Sequence, residues 1–199
     1  MTSILFTFAL PSESAHHFDD LTTLYTGVGK VNATLMLSRY FLDLMRQGKD
    51  LPSIVVNCGT VGSRDHLPGT VVQSHRFVQR DMDVTPLGFA QFQTPFDDMP
   101  VVFETTGFIL PHLPDVVCGT GDHFVTNWPN QAPFDIVDME AYALARACLM
   151  YKIPFLAIKY ISDAADGDAH VDWGAALDRA AIALRAAVDP ILKNSTKSS

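Results

Sequence analysis

The 199-residue sequence is short of charge, of cysteine and of long apolar runs, and each shortage excludes a class of protein. Charged residues make up 18% and hydrophobic ones 48%, against roughly 25% charged in ordinary soluble domains. That balance is the reverse of a disordered chain's. Lys and Arg number 14 against 22 Asp and Glu, a net charge of −8, and nowhere do they cluster. Neither nucleic acid nor an anionic membrane surface is therefore expected as a partner. The three cysteines, Cys58, Cys118 and Cys148, lie far apart and form no C-x-x-C pair, which excludes a disulfide framework and a zinc site. They are expected as buried, reduced thiols of a cytoplasmic protein. No segment reaches the ~18–20 apolar residues of a membrane span. The apolar run Ile4–Leu10 lacks the cationic start and the length of a signal peptide. There is no G-x-S-x-G elbow, the acids of Asp163–Asp168 do not follow a calcium-loop order, and the seven histidines have no metal-ligand spacing. No metal and no cofactor is expected.

What is present is an alternation of apolar strands and amphipathic helices. Ile4–Leu10 ends at Pro11 and reads as a buried strand, and a short strand near Thr23–Thr26 runs into Gly27-Val28-Gly29. From Lys30 to about Gln47 apolar residues recur with helical spacing, and Gly48 closes the segment. Ser53–Asn57 reads as a strand breaking at Gly59, and Thr70–Val78 as another. Residues 81–100 are a loop or hairpin region. Val101–Phe103, Val116–Cys118, Phe134–Val137 and Pro154–Ile161 are strands, Met139–Met150 and Trp173–Leu192 helices. Strands that are apolar throughout, separated by helices, predict a single α/β domain with a mixed, mostly parallel twisted sheet flanked by helices. It is expected over residues 1–193, with 194–199 a flexible tail; at this size a chain buries roughly 70% of its extended surface. With 13 Phe and so little charge, some apolar surface is expected to be covered between subunits.

In open α/β sheets ligands bind beyond the carboxyl ends of strands. The residues there are Leu10-Pro11-Ser12-Glu13, Gly27-Val28-Gly29-Lys30, Gly59-Thr60, Gly119-Thr120-Gly121-Asp122-His123-Phe124, Asp138-Met139-Glu140 and Ser162-Asp163. Three acids, Glu13, Glu140 and Asp163, are thereby predicted on one side of the sheet, where a carboxylate is costly unless paired, hydrated or used. Each has a plainer role available. Asp163 can cap a turn through Ala164–Gly167, and Glu140 can favour the dipole of a helix's first turn. Gly27–Lys30 lacks the spacing of a phosphate loop and reads as a tight turn into a helix.

The string IVDMEAYALARAC (136–148) followed by IPFLAIKYISDAADGD (153–168) resembles the signature region of the nucleoside phosphorylase/nucleosidase superfamily. Within it, the sequence is most similar to the methylthioadenosine/S-adenosylhomocysteine nucleosidases. TGVGKVNATL (26–35), NCGTVGS (57–63), VVQSHRFVQRDMDVTPLGF (71–89) and GTGDHFV (119–125) follow in the family's order. The resemblance spans nearly the whole chain, apart from a shortened stretch around 90–115, where the family shapes its pocket for the 5′-substituent.

The resemblance implies the following roles. Glu13 activates the attacking water, and Asp163 protonates or hydrogen-bonds N7 of the leaving purine. Glu140 grips the ribose hydroxyls and Met139 packs against the sugar. Phe124 stacks on the base, the Val125 backbone bonds the base edge, and Thr60 sits beside the ribose or the water. Leu10 and Ser162, flanking the acids, complete the substrate-binding set. These roles suit the chemistry: breaking an N-ribosidic bond builds positive charge on the sugar and negative charge on the base, which carboxylates beneath the ribose and an acid at N7 respectively stabilise. Water attacking opposite the leaving group needs its own base. For Asp163 to hold a proton near neutral pH its pKa must be raised, with burial behind Phe124 the expected cause.

Phosphorolysis is the alternative within the family. It needs a cationic cradle; related purine phosphorylases carry Arg where this chain has Ile54, and Glu13 would repel phosphate. A catalytically silent nucleoside-binding protein of the same fold is the alternative outside enzymology. Lys159 stands where the similar nucleosidases commonly have Arg. The nucleoside itself is open among methylthioadenosine, adenosylhomocysteine, deoxyadenosine and others. The family implies a homodimer, with residues 81–89 (DMDVTPLGF) the expected interface.

Overall fold

The computed structural model describes residues 3–107, 109–125, 128–163 and 173–196, with Asp163, 173–176 and 194–196 described by their backbone alone. The elements are β1 (Ile4–Phe8), α1 (Pro11–Ser14), β2 (Thr23–Tyr25), α2 (Lys30–Arg46), β3 (Ile54–Ser63), β4 (Val71–Gln79), β5 (Phe103–Glu104), β6 (Asp115–Thr120), β7 (Ile136–Asp138), α3 (Ala141–Met150), β8 (Phe155–Asp163) and α4 (Trp173–Thr196). The segment 81–100 is loop, with one 3₁₀ turn at Thr85–Leu87.

All eight strands form one mixed sheet in the order β2-β1-β3-β7-β6-β4-β5, with β8 pairing both β3 and β4. Strand pairs β1–β2, β1–β3, β3–β8, β4–β6 and β6–β7 are parallel; β3–β7, β4–β5 and β4–β8 are antiparallel. Mixed and mainly parallel is what the apolar strands predict. The pairings also close β3, β7, β6, β4 and β8 into a ring, with β1, β2 and β5 hanging from it, a feature absent from the open sheet expected from sequence.

One strand differs from its predicted bounds in a way that matters. The apolar segment at 53–57 does not break at Gly59: β3 continues to Ser63. Gly59 has an extended backbone (φ 158°), and β8 runs parallel beside it, pairing Gly59 with Lys159 and Thr60 with Tyr160. A partner strand supplies hydrogen bonds that outweigh glycine's weak strand preference. Thr60 therefore lies within a strand rather than in a loop beyond one.

Helices cover both faces. Helix α2 buries Ala33, Leu37 and Phe41, spaced by four, one side of a 3.6-residue period. Phe41 meets Tyr151 edge to face at 5.0 Å, and α3 buries Ala141, Leu144, Ala145 and Cys148 in the same cluster. Burying each of Leu37, Phe41 and Leu144 contributes about 1.5–3 kcal/mol. On the other face Leu184, Val188 and Ile191 of α4 cover Phe6, Phe8, Val56 and Ile158. Cys58, Cys118 and Cys148 are buried and unpaired. No helix of the described residues is long and apolar enough to cross a membrane.

Candidate functional site

The site is built where the sheet's ring closes. Side chains alternate along β8, so Lys159 shares the face of Ala157 and Ile161, inside the α2/α3 cluster. It is 2% exposed, and its ammonium reaches Asp138 Oδ2 at 2.9 Å. Asp138 ends β7, a strand that does not pair with β8, so this ion pair ties together two strands that the backbone ladder leaves apart. Asp138 is completed by the Thr120 hydroxyl, donating to Oδ1 at 2.6 Å, and by the Ala141 N–H, donating to Oδ2 at 3.0 Å. Register explains the first contact, since Thr120 of β6 lies opposite Asp138; the second caps α3. Burial works to raise the Asp138 carboxyl, but the Lys159 ammonium and the Thr120 hydroxyl hold it below its usual value. Burial likewise disfavours the Lys159 ammonium; Asp138, with Cys118 and Glu140 beyond it, reverses that and holds Lys159 firmly protonated.

Glu13 and Glu140 adjoin this pair. Glu13 lies in the single turn of α1, between Pro11 and a left-handed Ala15 (φ 41°). Its side chain folds back so that Oε2 accepts the Leu10 N–H at 3.0 Å and Oε1 accepts the Thr60 N–H at 3.3 Å. A Cβ on Gly59 would stand 3.0 Å from Glu13 Oε1 and 3.8 Å from Lys159 Nζ. Glycine there is what lets the acid and the cation approach each other across β3. Glu140 occupies the N-cap position of α3 without capping it. Its Oε1 accepts the Gly29 N–H at 2.8 Å, at the mouth of α2. Its carboxylate thus bonds the N-cap residue of α2 rather than the backbone of α3.

The electrostatics follow from a count of charges. Lys159 and Asp138 neutralise one another, which leaves two buried carboxyls beside a pair of zero net charge. Burial pushes Glu13 above its usual value, opposed by the Leu10 N–H, Lys159 and the Thr60 N–H. Burial, then the negative charge of Asp138, push Glu140 up to about 7, against the pull of Lys159 and the Gly29 N–H. Glu140 is thereby close to the protonation balance that proton transfer at neutral pH requires, and Glu13 is shifted in the same direction.

The other candidates are distributed around this centre. Met139, half-buried, lines an open groove of about 240 Å³ with Val28, Lys30, Val31 and Asp122. Ser162 donates to the Val61 carbonyl at 3.3 Å. Val125 is buried and Phe124 is 79% exposed. Phe124, expected to bury Asp163, follows an irregular turn and is largely open to solvent. Asp163 ends β8, its backbone registered with Gly62; its side chain, and the turn 164–167 that it was expected to cap, lie outside the described residues. Sequence reading passed over Asp138 and Thr120, although both stand in the strand-end strings; an acid two residues before Glu140 was the available signal. Among the described residues no group of three His, Cys, Asp or Glu is placed to hold a metal ion.

The profile of the phosphorylase superfamily matches residues 16–193. The 5′-methylthioadenosine/S-adenosylhomocysteine nucleosidase of Staphylococcus aureus is 27% identical over 194 residues, covering 84% of this chain and 78% of that protein. Its namesake from Neisseria meningitidis, solved with methylthio-immucillin-A, superposes with a TM-score of 0.80 at 22% identity, over 98% of this chain and 100% of the other. Futalosine hydrolase of Helicobacter pylori gives 0.80 at 18%, over 97% and 98%. The match spans both the strands that close the ring and the helices that seal it, and the chain belongs to the phosphorylase superfamily.

Proposed function

We propose that this protein is a purine nucleosidase that hydrolyses the N-ribosidic bond of a 5′-substituted adenosine, such as methylthioadenosine or S-adenosylhomocysteine, and releases adenine. The observation that carries this reading is the convergence of Glu13 and Glu140, both buried and both raised in pKa, on one Lys159–Asp138 pair. Glu13 takes the proton of the attacking water, held toward the sugar by its bonds to Leu10 and Thr60. Glu140, fixed by Gly29, accepts the ribose hydroxyls and stabilises the cationic sugar. Met139 packs on the sugar, Phe124 and Val125 take the base, Ser162 flanks the site, and Asp163 protonates the purine at N7. Water rather than phosphate is the nucleophile: Ile54 is buried in an apolar strand, and an anion would meet two carboxyls. The relatives' names support an adenosine bearing a 5′-substituent.

The working unit is proposed to be a cytoplasmic homodimer, with loop 81–89 at the interface. Leu87 there is 75% exposed, and Val31, Leu35 and Met45 form an exposed apolar stripe on α2. The test is a nucleoside panel that includes methylthioadenosine, S-adenosylhomocysteine, deoxyadenosine and futalosine, read by free base with and without phosphate. Adenine release independent of phosphate is expected. A strict phosphate requirement would establish phosphorolysis, and thermal stabilisation without base release a binding protein.

A further inference from the structure

Arg80 follows β4 and is 8% exposed, yet among the described residues no carboxylate lies within ion-pair distance of its guanidinium. Its partners are backbone carbonyls and a ring nitrogen. Nη2 donates to the Gly121 carbonyl at 3.0 Å and also to the His123 carbonyl; Nη1 lies 3.1 Å from His123 Nε2. Arginine only donates, so His123 Nε2 accepts and its proton sits on Nδ1. Burying a cation without a direct ion pair is costly; Asp81, Asp138 and Asp122, lying further off, offset the burial only in part, and the Nε of Arg80 has no partner among the described residues. Such a cost is retained where the group holds something that must not move.

What it holds is the turn leading into Phe124 and Val125. This turn is in neither a helix nor a strand. The Gly121 N–H goes to the Asp138 carbonyl at 3.1 Å and the Asp122 N–H to Asp81 Oδ2 at 2.9 Å. Asp122 Oδ1 in turn accepts the Lys30 N–H at 2.8 Å, one residue from the Gly29 N–H that holds Glu140. Adjacent residues Arg80 and Asp81 thus fix the turn from one side, and Lys30, whose ammonium bonds Asp81 Oδ2 at 2.6 Å, from the other. Space is matched as well: a Cβ on Gly121 would stand 2.9 Å from Arg80 Cζ.

We propose that Arg80 is a positioning residue for the nucleobase: its guanidinium fork fixes the carbonyls of Gly121 and His123 and so sets the shelf on which Phe124 and Val125 receive the purine. This rests on the nucleosidase reading above. The fork matters, because a lysine ammonium cannot span both carbonyls and the imidazole in one geometry.

The test uses the whole protein as wild type, Arg80→Met, Arg80→Lys and His123→Ala, the last removing an exposed ring in case the buried variants fold poorly. Hydrogen exchange over 119–125, calorimetric Kd for free adenine and steady-state kinetics are measured, with thermal unfolding as the fold control. Arg80→Met is expected to speed exchange in that segment and raise the adenine Kd and KM roughly tenfold to a hundredfold, the scale of one hydrogen bond to a charged group, with kcat changed less. Arg80→Lys gives no rescue, and His123→Ala shows a smaller effect in the same direction. Unchanged exchange, an unchanged adenine Kd beside tight wild-type binding, or full rescue by lysine overturns the clamp alone. Wild-type protein that neither binds adenine nor releases it overturns the nucleosidase reading and the shelf with it.

Discussion

Glu140 departs far from the chemistry of its free side chain, and the departure has a measurable sign. Its carboxyl moves from 4.5 to about 7 on folding, so the native state holds a proton that the unfolded chain releases. Stability therefore falls as pH rises from 4.5 to 7 and is flat above, by on the order of 3 kcal/mol in full. Denaturant unfolding of wild type and Glu140→Gln across that range is expected to show this slope in wild type and its loss in the variant; parallel curves would refute it. On the proposed mechanism activity runs the other way, because Glu13 and Glu140 are assigned to act as carboxylates. The kcat/KM of wild type is expected to decline as pH drops below about 7. For Glu13→Gln and Asp163→Asn, a loss of about 10²–10⁴ in kcat is expected with thermal unfolding near wild type; near-normal turnover in either removes that residue from the mechanism.

At the scale of elements, the site depends on how β3, β7 and β8 are set against one another. Gly59 is the contact point of β3 with both Glu13 and Lys159. The methyl of Gly59→Ala displaces Glu13 by a few tenths of an ångström, and catalysis is sensitive to that. A fall in kcat of about tenfold or more is expected, with the mutant still folded by circular dichroism. The Lys159–Asp138 pair spans strands without a shared ladder. Lys159→Met strands a buried carboxylate and is expected to cost about 3–5 kcal/mol in urea unfolding. Adding Asp138→Asn should recover part of that loss. Additive effects would mean that the two side chains do not interact.

At the scale of the whole molecule, the low charge fraction is accounted for in part by a sheet covered on both faces and in part by apolar surface that stays exposed. Val31, Leu35 and Met45 on α2 and Leu87 in the long loop lie open to solvent. Sedimentation equilibrium is expected to give a dimer for wild type and a shift toward monomer for Leu87→Glu; a monomeric wild type would count against the loop as an interface.

The periodicity of residues 30–47, the β-rich run at 4–10 and the apolar segment at 154–161 were enough for their elements, because local spacing and propensity agree there with the burial each face receives. The strings at 136–148 and 153–168 identified the family, and through it pointed to Glu13 and Glu140 as candidates. Sequence did not reveal that β3 runs through Gly59, since the decisive factor is a neighbouring strand a hundred residues away. Nor did it reveal the closed ring, the pairing of Lys159 with Asp138 or the clamp of Arg80 on 121–123. Each of these joins segments remote in the chain, and whether a buried charge is neutralised, shared or left to raise a neighbour's pKa depends on distance through space. The residue types available for the proposed chemistry were determined by the sequence; which carboxyls are pushed up in pKa and which is held down was decided only by the tertiary structure, which buries three acids around one lysine.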